Sequence, residues 1–161
     1  MNYKEVIAKK IVDEAGLLKL VRLWKLKDEK IVFTNGCFDI LHRGHIHVLN
    51  EAAAQGNRLI IALNSDSSIK KIKKTGRPLQ DELSRAEVLA ALTISDAIIL
   101  FSDETPSKLI EKVKPDVLVK GGDYKPEEIA GADFAKTVVI VPLLEGYSTT
   151  SIEEKIIASS C

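Results

Sequence analysis

Residues 33–45 read Phe33-Thr34-Asn35-Gly36-Cys37-Phe38-Asp39-Ile40-Leu41-His42-Arg43-Gly44-His45. The apolar run that leads into this stretch predicts a buried strand over 30–35, and the following residues predict a helix over 44–55 with Gly56 in its C′ position. At a strand-to-helix junction the first backbone N–H groups of the helix are unpaired and its dipole end is positive, which favours a phosphate. We therefore expect a nucleotide site here, with His42 and His45 at the start of the helix.

Four more apolar runs follow this junction, and helical patterns separate them. The runs predict strands over 58–64, 97–101, 117–120 and 138–141. Amphipathic patterns predict one or two helices over 3–27 and further helices over 83–92, 105–113 and 152–158. The alternation predicts an α/β fold, with a doubly wound, Rossmann-like, five-stranded parallel sheet and helices on both faces. We expect one domain over 1–161, in which a helical N-terminal segment over 1–29 precedes an α/β core over 30–161.

The composition is that of a globular domain without a net charge. Hydrophobic residues make up 45% and charged residues 29% of the chain, which is not the balance of a disordered protein. The 23 basic residues match 23 acidic ones, so no global field favours nucleic acid or a membrane surface. No run approaches the roughly 18 apolar residues of a membrane span, and the N-terminus lacks an apolar signal core. The two cysteines, Cys37 and Cys161, predict free thiols in a reducing cytoplasm.

Further candidate phosphate ligands follow the predicted strands, at the edge where open parallel sheets bind ligands. A basic run follows the second strand, a pair of glycines follows the fourth, and a cluster of hydroxyl groups precedes the last helix. These residues are Lys70, Lys71, Lys73, Lys74, Gly121, Gly122, Ser148, Thr149, Thr150 and Ser151. Each group also has a structural explanation: a solvated loop, an ordinary turn and a helix N-cap.

Arg85 lies in the first turn of the helix predicted over 83–92, where the helix dipole disfavours a cation. Two explanations are open at this point. The guanidinium serves a phosphate at the site, or a neighbouring Asp or Glu holds it in a salt bridge.

Other chemistries fit the pattern less well. His42 and His45 could share a zinc ion, but no third ligand stands nearby at a fitting spacing, and His47 should point elsewhere on the helix. Nothing around Cys37 marks it as a nucleophile with a lowered pKa. The sequence has neither a Gly-x-x-x-x-Gly-Lys-Ser/Thr loop nor a Gly-x-Gly-x-x-Gly turn, which argues against a P-loop kinase and a dinucleotide oxidoreductase. Taken together, the candidates favour transfer of a nucleotidyl group.

Two segments resemble the signatures of a known superfamily. Residues 34–39 followed by His42-Arg43-Gly44-His45 resemble the His-x-Gly-His signature of the nucleotidyltransferases, which include cytidylyltransferases and pantetheine-phosphate adenylyltransferase. Residues 146–151 resemble their second signature near the C-terminus. Asn64-Ser65-Asp66, Lys73 ahead of Gly76-Arg77-Pro78, and residues 119–131 resemble the adenylyltransferase part of bacterial ADP-heptose synthase. In many bacteria that part is fused behind a sugar kinase domain; the resemblance implies a standalone transferase here.

The resemblance implies a role for each matching residue. His42 and His45 would donate to phosphate oxygens in the transition state, and Lys73 would neutralise the approaching phosphates; these three residues are the predicted catalytic ones. The predicted nucleotide-binding residues are Asn35, Gly36, Phe38, Asp39, Arg85, Gly121, Asp123, Ser148, Thr149 and Thr150. The predicted substrate-binding residues are Asn64, Asp66 and Gly122.

Several of these roles are specific. We expect Asp39 to orient a histidine or a metal-bound water, and Arg85 to bind the triphosphate. The hydroxyl groups at 148–150 would hold the β- and γ-phosphates of the nucleotide. Lys74 stands where many relatives have glycine, which leaves open which lysine of the basic run contacts phosphate.

The implied reaction moves AMP from ATP to D-glycero-β-D-manno-heptose 1-phosphate, giving pyrophosphate and ADP-heptose for lipopolysaccharide core or surface-glycan synthesis. Mg²⁺ would bind mainly through ATP, without a cage of protein ligands. The alternatives are a cytidylyltransferase for glycerol 3-phosphate or another polyol phosphate, and a nucleotide-binding sensor without catalysis. We expect a cytoplasmic homodimer or higher homo-oligomer whose partners are small-molecule substrates, not nucleic acid or membrane.

Overall fold

The computed structural model describes residues 2–73 and 76–159, in which strands and helices alternate. The strands are β1 (Ile11–Val12), β2 (Ile31–Gly36), β3 (Arg58–Asn64), β4 (Ala97–Phe101), β5 (Val117–Gly121) and β6 (Thr137–Val141). The helices are α1 (Tyr3–Lys10), α2 (Glu14–Leu26), α3 (Arg43–Ala53), α4 (Asp66–Ile72), α5 (Glu82–Ala90), α6 (Ser107–Val113) and α7 (Thr149–Ser159). Two 3₁₀ turns, Pro126–Glu128 and Ala132–Phe134, lie between β5 and β6. None of the helices in the described ranges is long and apolar enough to cross a membrane.

The strands form one parallel sheet in the order β1-β4-β3-β2-β5-β6. From β2 the chain adds β3 and then β4 on one side, and it returns to place β5 on the other side of β2. In open parallel sheets a ligand crevice forms where the direction of winding reverses, outside the carboxyl ends of the strands. That position is the end of β2, where the turn into α3 begins.

The parallel α/β architecture is confirmed, but the prediction of five strands is wrong, because the described chain has six. The additional strand is β1, in which Ile11 pairs with Ile98 and Val12 with Ile99. Two residues are too few to show an alternating pattern, so β1 exists only through its pairing with the exposed edge of β4.

Helices cover both faces of the sheet, as predicted. On one face α2 and α6 bury Leu17, Val21, Leu109, Ile110 and Val113 against the sheet. On the other face α3 and α5 bury Leu49, Ala52, Ala86, Leu89 and Ala90. Strand β3 supplies both layers, because its side chains alternate: Ile60 and Ala62 face one layer, and Leu59, Ile61 and Leu63 face the other.

Three local predictions need correction. Helix α3 ends at Ala53, and Gly56 is not its C′ residue; a Cβ at Gly56 would lie 2.6 Å from the carbonyl oxygen of Lys30, so glycine allows a close backbone approach there. The basic run does not lie wholly in a loop, because residues 66–72 form α4. Helix α7 begins at Thr149, three residues before the predicted start, so part of the hydroxyl cluster lies in its first turn.

Candidate active site

His42 starts α3 as its N-cap residue. Its backbone is extended, at φ −142° and ψ 171°, and its Nδ1 accepts a hydrogen bond from the backbone N–H of His45 at 3.4 Å. An imidazole that accepts through Nδ1 carries its proton on Nε2 when it is neutral. The Nε2–H of His42 is therefore the group that donates to a ligand.

His45 stacks against His42 one turn further along the helix. The ring centroids are 3.8 Å apart and the rings are inclined by 23°. The Nδ1 atom of His45 is buried and has no hydrogen-bond partner among the residues that the structure describes. A buried polar atom without a partner is costly, and such atoms are found where a ligand completes the hydrogen bonding.

Both imidazoles are neutral near physiological pH in the free protein. Burial and the neighbouring His42 lower the pKa of His45 to about 4, and burial also lowers the pKa of His42. The pair is therefore uncharged when a phosphate arrives, and His45 also has a hydrogen bond to the backbone of Ile40, which acts to raise its pKa. An anion placed against the rings would raise both pKa values by electrostatic attraction.

Phe38 closes the site beside the histidine pair. Its backbone lies in the left-handed region, at φ 47°, which turns its ring to 5.1 Å from the ring of His45. A Cβ at Gly36 would lie 2.9 Å from the Phe38 ring, so only glycine fits at the end of β2. The predicted residues Gly36 and Phe38 thus shape the wall of the site.

Gly44 brings the two signature segments together. A Cβ at this position would lie 3.0 Å from the His42 ring and 3.2 Å from Cβ of Tyr147. Arg43 donates from its guanidinium to the Tyr147 hydroxyl at 3.2 Å, and its guanidinium carbon lies 5.5 Å from the Tyr147 ring centroid. Segment 146–151 therefore lies against the start of α3, as the nucleotide-site hypothesis requires. Tyr147 belongs to the predicted second signature, but it is not among the predicted site residues.

The hydroxyl cluster is partly used by α7 itself. The backbone N–H of Ser151 donates to Oγ of Ser148 at 3.0 Å, and the backbone N–H of Ser148 donates to Oγ of Ser151 at 3.3 Å. This reciprocal capping is the structural explanation that the sequence left open. Thr149, which is half-buried, and Thr150, which is exposed, remain as candidate ligands in the first turn of α7.

Arg85 lies beneath the site rather than in it. Its side chain is fully buried and donates to the carbonyl oxygens of Cys37 at 2.7 Å, Asn64 at 2.8 Å and Gln80 at 3.0 Å, and to the carboxylate of Asp66 at 2.7 Å. The salt bridge is thus the explanation that holds for this cation. Direct binding of a triphosphate by Arg85 does not fit this geometry, because its guanidinium ties the ends of β2 and β3 together from inside.

Asp39 also has a structural environment. It accepts hydrogen bonds from the Arg77 guanidinium at 2.6 Å and from the backbone N–H groups of Leu79 and Gln80 at 2.8 and 3.0 Å. Burial alone would raise the pKa of Asp39, but these hydrogen bonds outweigh burial and lower it. Arg77 also pairs with Glu153 of α7. Asp39 therefore holds the loop at 77–80 and, through Arg77, α7. The sequence predicts that it orients a histidine or a metal-bound water, and among the described residues none of its side-chain hydrogen bonds goes to a histidine.

The predicted substrate ligands on β3 and α4 are also engaged. Asn64 is buried and donates from its amide to Oγ of Ser68 at 3.0 Å. Asp66 is half-buried and is held by Arg85. Both residues fix the shape of the site floor, and direct contact of Asn64 with a substrate does not fit its burial.

Lys73 is exposed at the C-terminal end of α4. Burial raises the pKa of the Cys37 thiol, while the positive charges of Lys73, Arg85 and Lys120 act in the opposite direction. Lys73 thus lies within electrostatic reach of the junction after β2, and the raised pKa agrees with the prediction that Cys37 is no activated nucleophile. Lys74 of the basic run lies outside the described residues, as does Cys161.

The Gly-Gly turn after β5 packs on α3. A Cβ at Gly121 would lie 2.7 Å from Val48, so glycine here serves close packing of the strand end on the helix. Gly122 is buried at φ +129°, a conformation that favours glycine. Asp123 follows with an exposed side chain, at the edge of the crevice.

Asn35 lies across from the same turn, on the end of β2. Its Oδ1 accepts a hydrogen bond from the Lys120 ammonium at 3.2 Å. The prediction named Asn35 but gave Lys120 no role, since a lysine at a strand end is commonly a surface residue.

The fold and this site define a class. The domain places two stacked, neutral imidazoles at a helix N-terminus, at the point where the parallel sheet reverses its winding, and this arrangement is suited to a nucleotide phosphate. The model of the cytidylyltransferase-like family matches residues 33–155. The chain belongs to this family of nucleotidyltransferases, and the superfamily predicted from the two signatures is confirmed.

The chain is also similar to curated bacterial proteins. It is 53% identical over 149 residues to the bifunctional protein HldE of Hydrogenovibrio crunogenus, covering 90% of this chain and 31% of that protein. It is 49% identical over 150 residues to the bifunctional protein HldE of Koribacter versatilis, covering 91% of this chain and 31% of that protein. The chain therefore spans less than a third of the length of these relatives.

Two solved structures are similar to the chain. The lipopolysaccharide core biosynthesis protein from Thermoplasma volcanium GSS1 is 32% identical with a TM-score of 0.60, over 74% of this chain and 99% of that one. Pantoate-beta-alanine ligase from Francisella tularensis, described as complexed with beta-gamma ATP and beta-alanine, is 16% identical with a TM-score of 0.61, over 94% of this chain and 78% of that one. At that identity the second match supports the fold alone.

Proposed function

We propose that the chain transfers AMP from ATP to D-glycero-β-D-manno-heptose 1-phosphate and releases pyrophosphate. The observation that carries the proposal is the stacked pair of His42 and His45 at the start of α3, with segment 146–151 packed beside it. The choice of acceptor is supported by the similarity to HldE proteins and to a lipopolysaccharide core biosynthesis protein. It is also supported by the resemblance of residues 119–131 to the transferase part of ADP-heptose synthase.

The reaction is a displacement at the α-phosphorus of ATP. An oxygen of the sugar 1-phosphate forms a bond to this phosphorus, and the bond to the oxygen that bridges to the β-phosphate breaks. Pyrophosphate leaves with the electron pair of that bond. The attacking phosphate is already ionised at neutral pH, so no general base is needed, and the work of the protein is to position two anions and stabilise developing charge.

Neutral histidines suit this task. With a pKa of about 4, His45 carries no extra proton to give away at neutral pH, and its role is to donate a hydrogen bond. His42 presents its Nε2–H from the N-cap position, beside the unpaired N–H groups of the helix. Both donors would meet the α-phosphate oxygens as charge accumulates on them.

The exposed cation and hydroxyl groups around the histidines complete the site. Lys73 would neutralise the phosphates from the α4 side. Thr149 and Thr150 would contact the β- and γ-phosphates from the first turn of α7, where the positive end of the helix dipole favours anions. Asp123 would face the nucleoside, and Gly122 would let its backbone approach the ligand.

Mg²⁺ fits this site as a companion of ATP. The carboxylates of Asp39 and Asp66 already bind arginines, and the described residues contain no group of three or more His, Cys, Asp or Glu side chains that could hold a metal ion. When bound, the ion would neutralise the triphosphate and pyrophosphate charge. We therefore propose that ATP oxygens, and not a protein cage, hold it.

A product screen tests the proposal. The protein is incubated with Mg²⁺, each nucleoside triphosphate in turn, and a panel of sugar and polyol phosphates; pyrophosphate is measured and the products are identified by mass. We expect ADP-heptose from ATP and heptose 1-phosphate, and no product from a His42→Ala, His45→Ala protein of unchanged fold. A CDP-polyol from CTP would favour the cytidylyltransferase alternative. ATP binding without pyrophosphate from any pair would favour a sensor.

A further inference from the structure

Lys120 lies at the strand pair where the sheet reverses its winding. It precedes the last residue of β5, and the pairing of Thr34 with Val119 places it next to Asn35 at the end of β2. Its Nζ donates to Oδ1 of Asn35 at 3.2 Å and lies 5.8 Å from the centroid of the Tyr124 ring. The ammonium is thus half-buried at the carboxyl edge, between two neutral groups.

The charge of Lys120 has no counterion in the described part of the chain. The more buried arginines all contact carboxylates: Arg58 contacts Glu29 and Asp96, Arg77 contacts Asp39 and Glu153, and Arg85 contacts Asp66. Lys120 forms no ion pair with any residue in 2–73 or 76–159. Lys120 therefore differs from these three arginines. Lys10 is also half-buried without an ion pair, but it directly precedes β1, at the amino end of a strand, and donates to the carbonyl oxygen of Leu92 and to Oγ of Ser95.

An unneutralised ammonium in this position weakens the free protein. Burial lowers the pKa of Lys120, which shows that the surroundings disfavour its charged form. Removing an ammonium from water is costly unless an opposite charge replaces the water. An amide oxygen and an aromatic face recover part of this cost but supply no full negative charge.

A purely structural role is the weaker explanation. A neutral donor could hold Asn35 without desolvating a charge, and the ammonium of Lys120 has one hydrogen-bond acceptor, whereas the structural cation Arg85 has three carbonyl oxygens and a carboxylate. Lys73 and Lys120 also both act electrostatically on Cys37, so positive charge reaches the junction after β2 from both of these lysines. The ammonium of Lys120 therefore lies near the junction without an anionic partner among the described residues.

We propose that the Lys120 ammonium binds a phosphoryl oxygen of a bound substrate and is a further ligand of the transfer site. The assignment rests on the proposed function for the identity of the substrates. The phosphoryl group belongs either to the nucleotide or to the acceptor sugar phosphate, and both offer the same anionic oxygens. In either case the ligand completes the environment of Lys120 and offsets the cost of burying it.

The test compares Lys120→Met with Lys19→Met, which removes the same charge from an exposed position on α2. Calorimetric titrations measure Kd for Mg²⁺ with α,β-methylene ATP, for heptose 1-phosphate in the presence of that analogue, and for inorganic pyrophosphate. We expect Lys120→Met to raise at least one Kd by roughly 10- to 100-fold, the range for a lost charge-assisted hydrogen bond. An effect on the ATP analogue assigns the nucleotide, and an effect on heptose 1-phosphate alone assigns the acceptor. Lys19→Met should bind all three as the wild type does.

Stability provides the second readout. Because the charge is a burden in the free protein, the midpoint of urea unfolding should be the same or higher in Lys120→Met, and Lys120→Arg should recover part of the binding. A lower midpoint or failure to fold would show a structural role and overturn the proposal. Unchanged Kd values, or a wild-type protein that binds none of the three ligands, would also overturn it. None of these titrations needs turnover. If Lys120→Met loses binding while the wild type makes no ADP-heptose, the result rejects only the proposed reaction and supports Lys120 as a phosphate ligand.

Discussion

Replacing Arg85 by methionine should destabilise the fold more than it affects nucleotide recognition. The substitution keeps an apolar stem of similar length but leaves Asp66 and the carbonyl oxygens of Cys37, Asn64 and Gln80 without their donor. Breaking a buried ion pair by removing one partner costs about 3–5 kcal/mol. Unpaired carbonyl groups could add to this, but Asp66 is only half-buried and regains water, so we expect a total loss of about 3–5 kcal/mol.

That loss is large against the roughly 5–15 kcal/mol of a typical domain. For a chain of this length, each kcal/mol lowers Tm by about 2–4 °C, which predicts a decrease of about 6–20 °C. Equilibrium unfolding in urea, followed by circular dichroism, measures the change, with Arg22→Met on the exposed side of α2 as the matched control. A loss below about 1 kcal/mol, together with a clear rise in KM for ATP, would refute this reasoning and restore the prediction that Arg85 binds the triphosphate.

Three further predictions concern the histidines and the basic run. His45→Ala should lower kcat by roughly 10²–10³-fold, the scale for one lost transition-state donor, in a pyrophosphate-release assay; near-wild-type kcat in a folded variant would contradict the role. Lys73→Ala should lower kcat and raise KM for the phosphates, and an equal effect of Lys71→Ala would show that neither lysine is specific. Since the pKa of His45 falls from 6.5 to about 4 on folding, the unfolded chain binds the extra proton in this window, and the free energy of unfolding should decrease as pH falls through it. The decrease should be smaller in His45→Gln, and identical slopes in urea titrations from pH 7 to 4 would contradict it.

The parts of the fold that the sequence predicts are those with local causes. Each long strand is an apolar run with polar ends, and each helix of the two layers has an amphipathic pattern, so the order of elements follows from neighbours in the chain. Strand β1 does not, because Ile11 and Val12 become a strand only by pairing with residues nearly ninety positions away. Helix α4 escaped prediction for a related reason: it is short, and its charged residues resemble a loop.

In the candidate site, too, the sequence predicts the residues that are close in the chain and misses the contacts between distant ones. His42, Gly44 and His45 are close in sequence, so their meeting at one helix end follows from helix geometry alone. The partners of Arg85 and Asp39 could not be read in this way, since Arg85 joins Cys37 across 48 positions and Arg77 joins Asp39 across 38. The partners of Arg85 favour the salt-bridge explanation over the prediction that this residue binds the triphosphate. In the sequence, the cation in the first turn of a helix fits both explanations, a phosphate ligand and a salt bridge to a neighbouring Asp or Glu.

The environment of Lys120 is visible in the structure and not in the sequence. In the sequence it ends an apolar run, which is where a strand commonly meets solvent. In the fold it lies half-buried between Asn35 and Tyr124, and it forms no ion pair with a carboxylate of the described residues. The sequence signal that points to it is its place directly before the Gly-Gly turn.

The most direct test of the central claim follows the phosphorus atoms of ATP. The protein is supplied with heptose 1-phosphate and Mg²⁺, together with ATP labelled with ³²P at either the α- or the γ-position, and the products are separated. We expect the α-label to appear in ADP-heptose and the γ-label only in pyrophosphate. Transfer of the γ-label to the sugar, or release of ADP, would show attack at a different phosphorus and contradict the account.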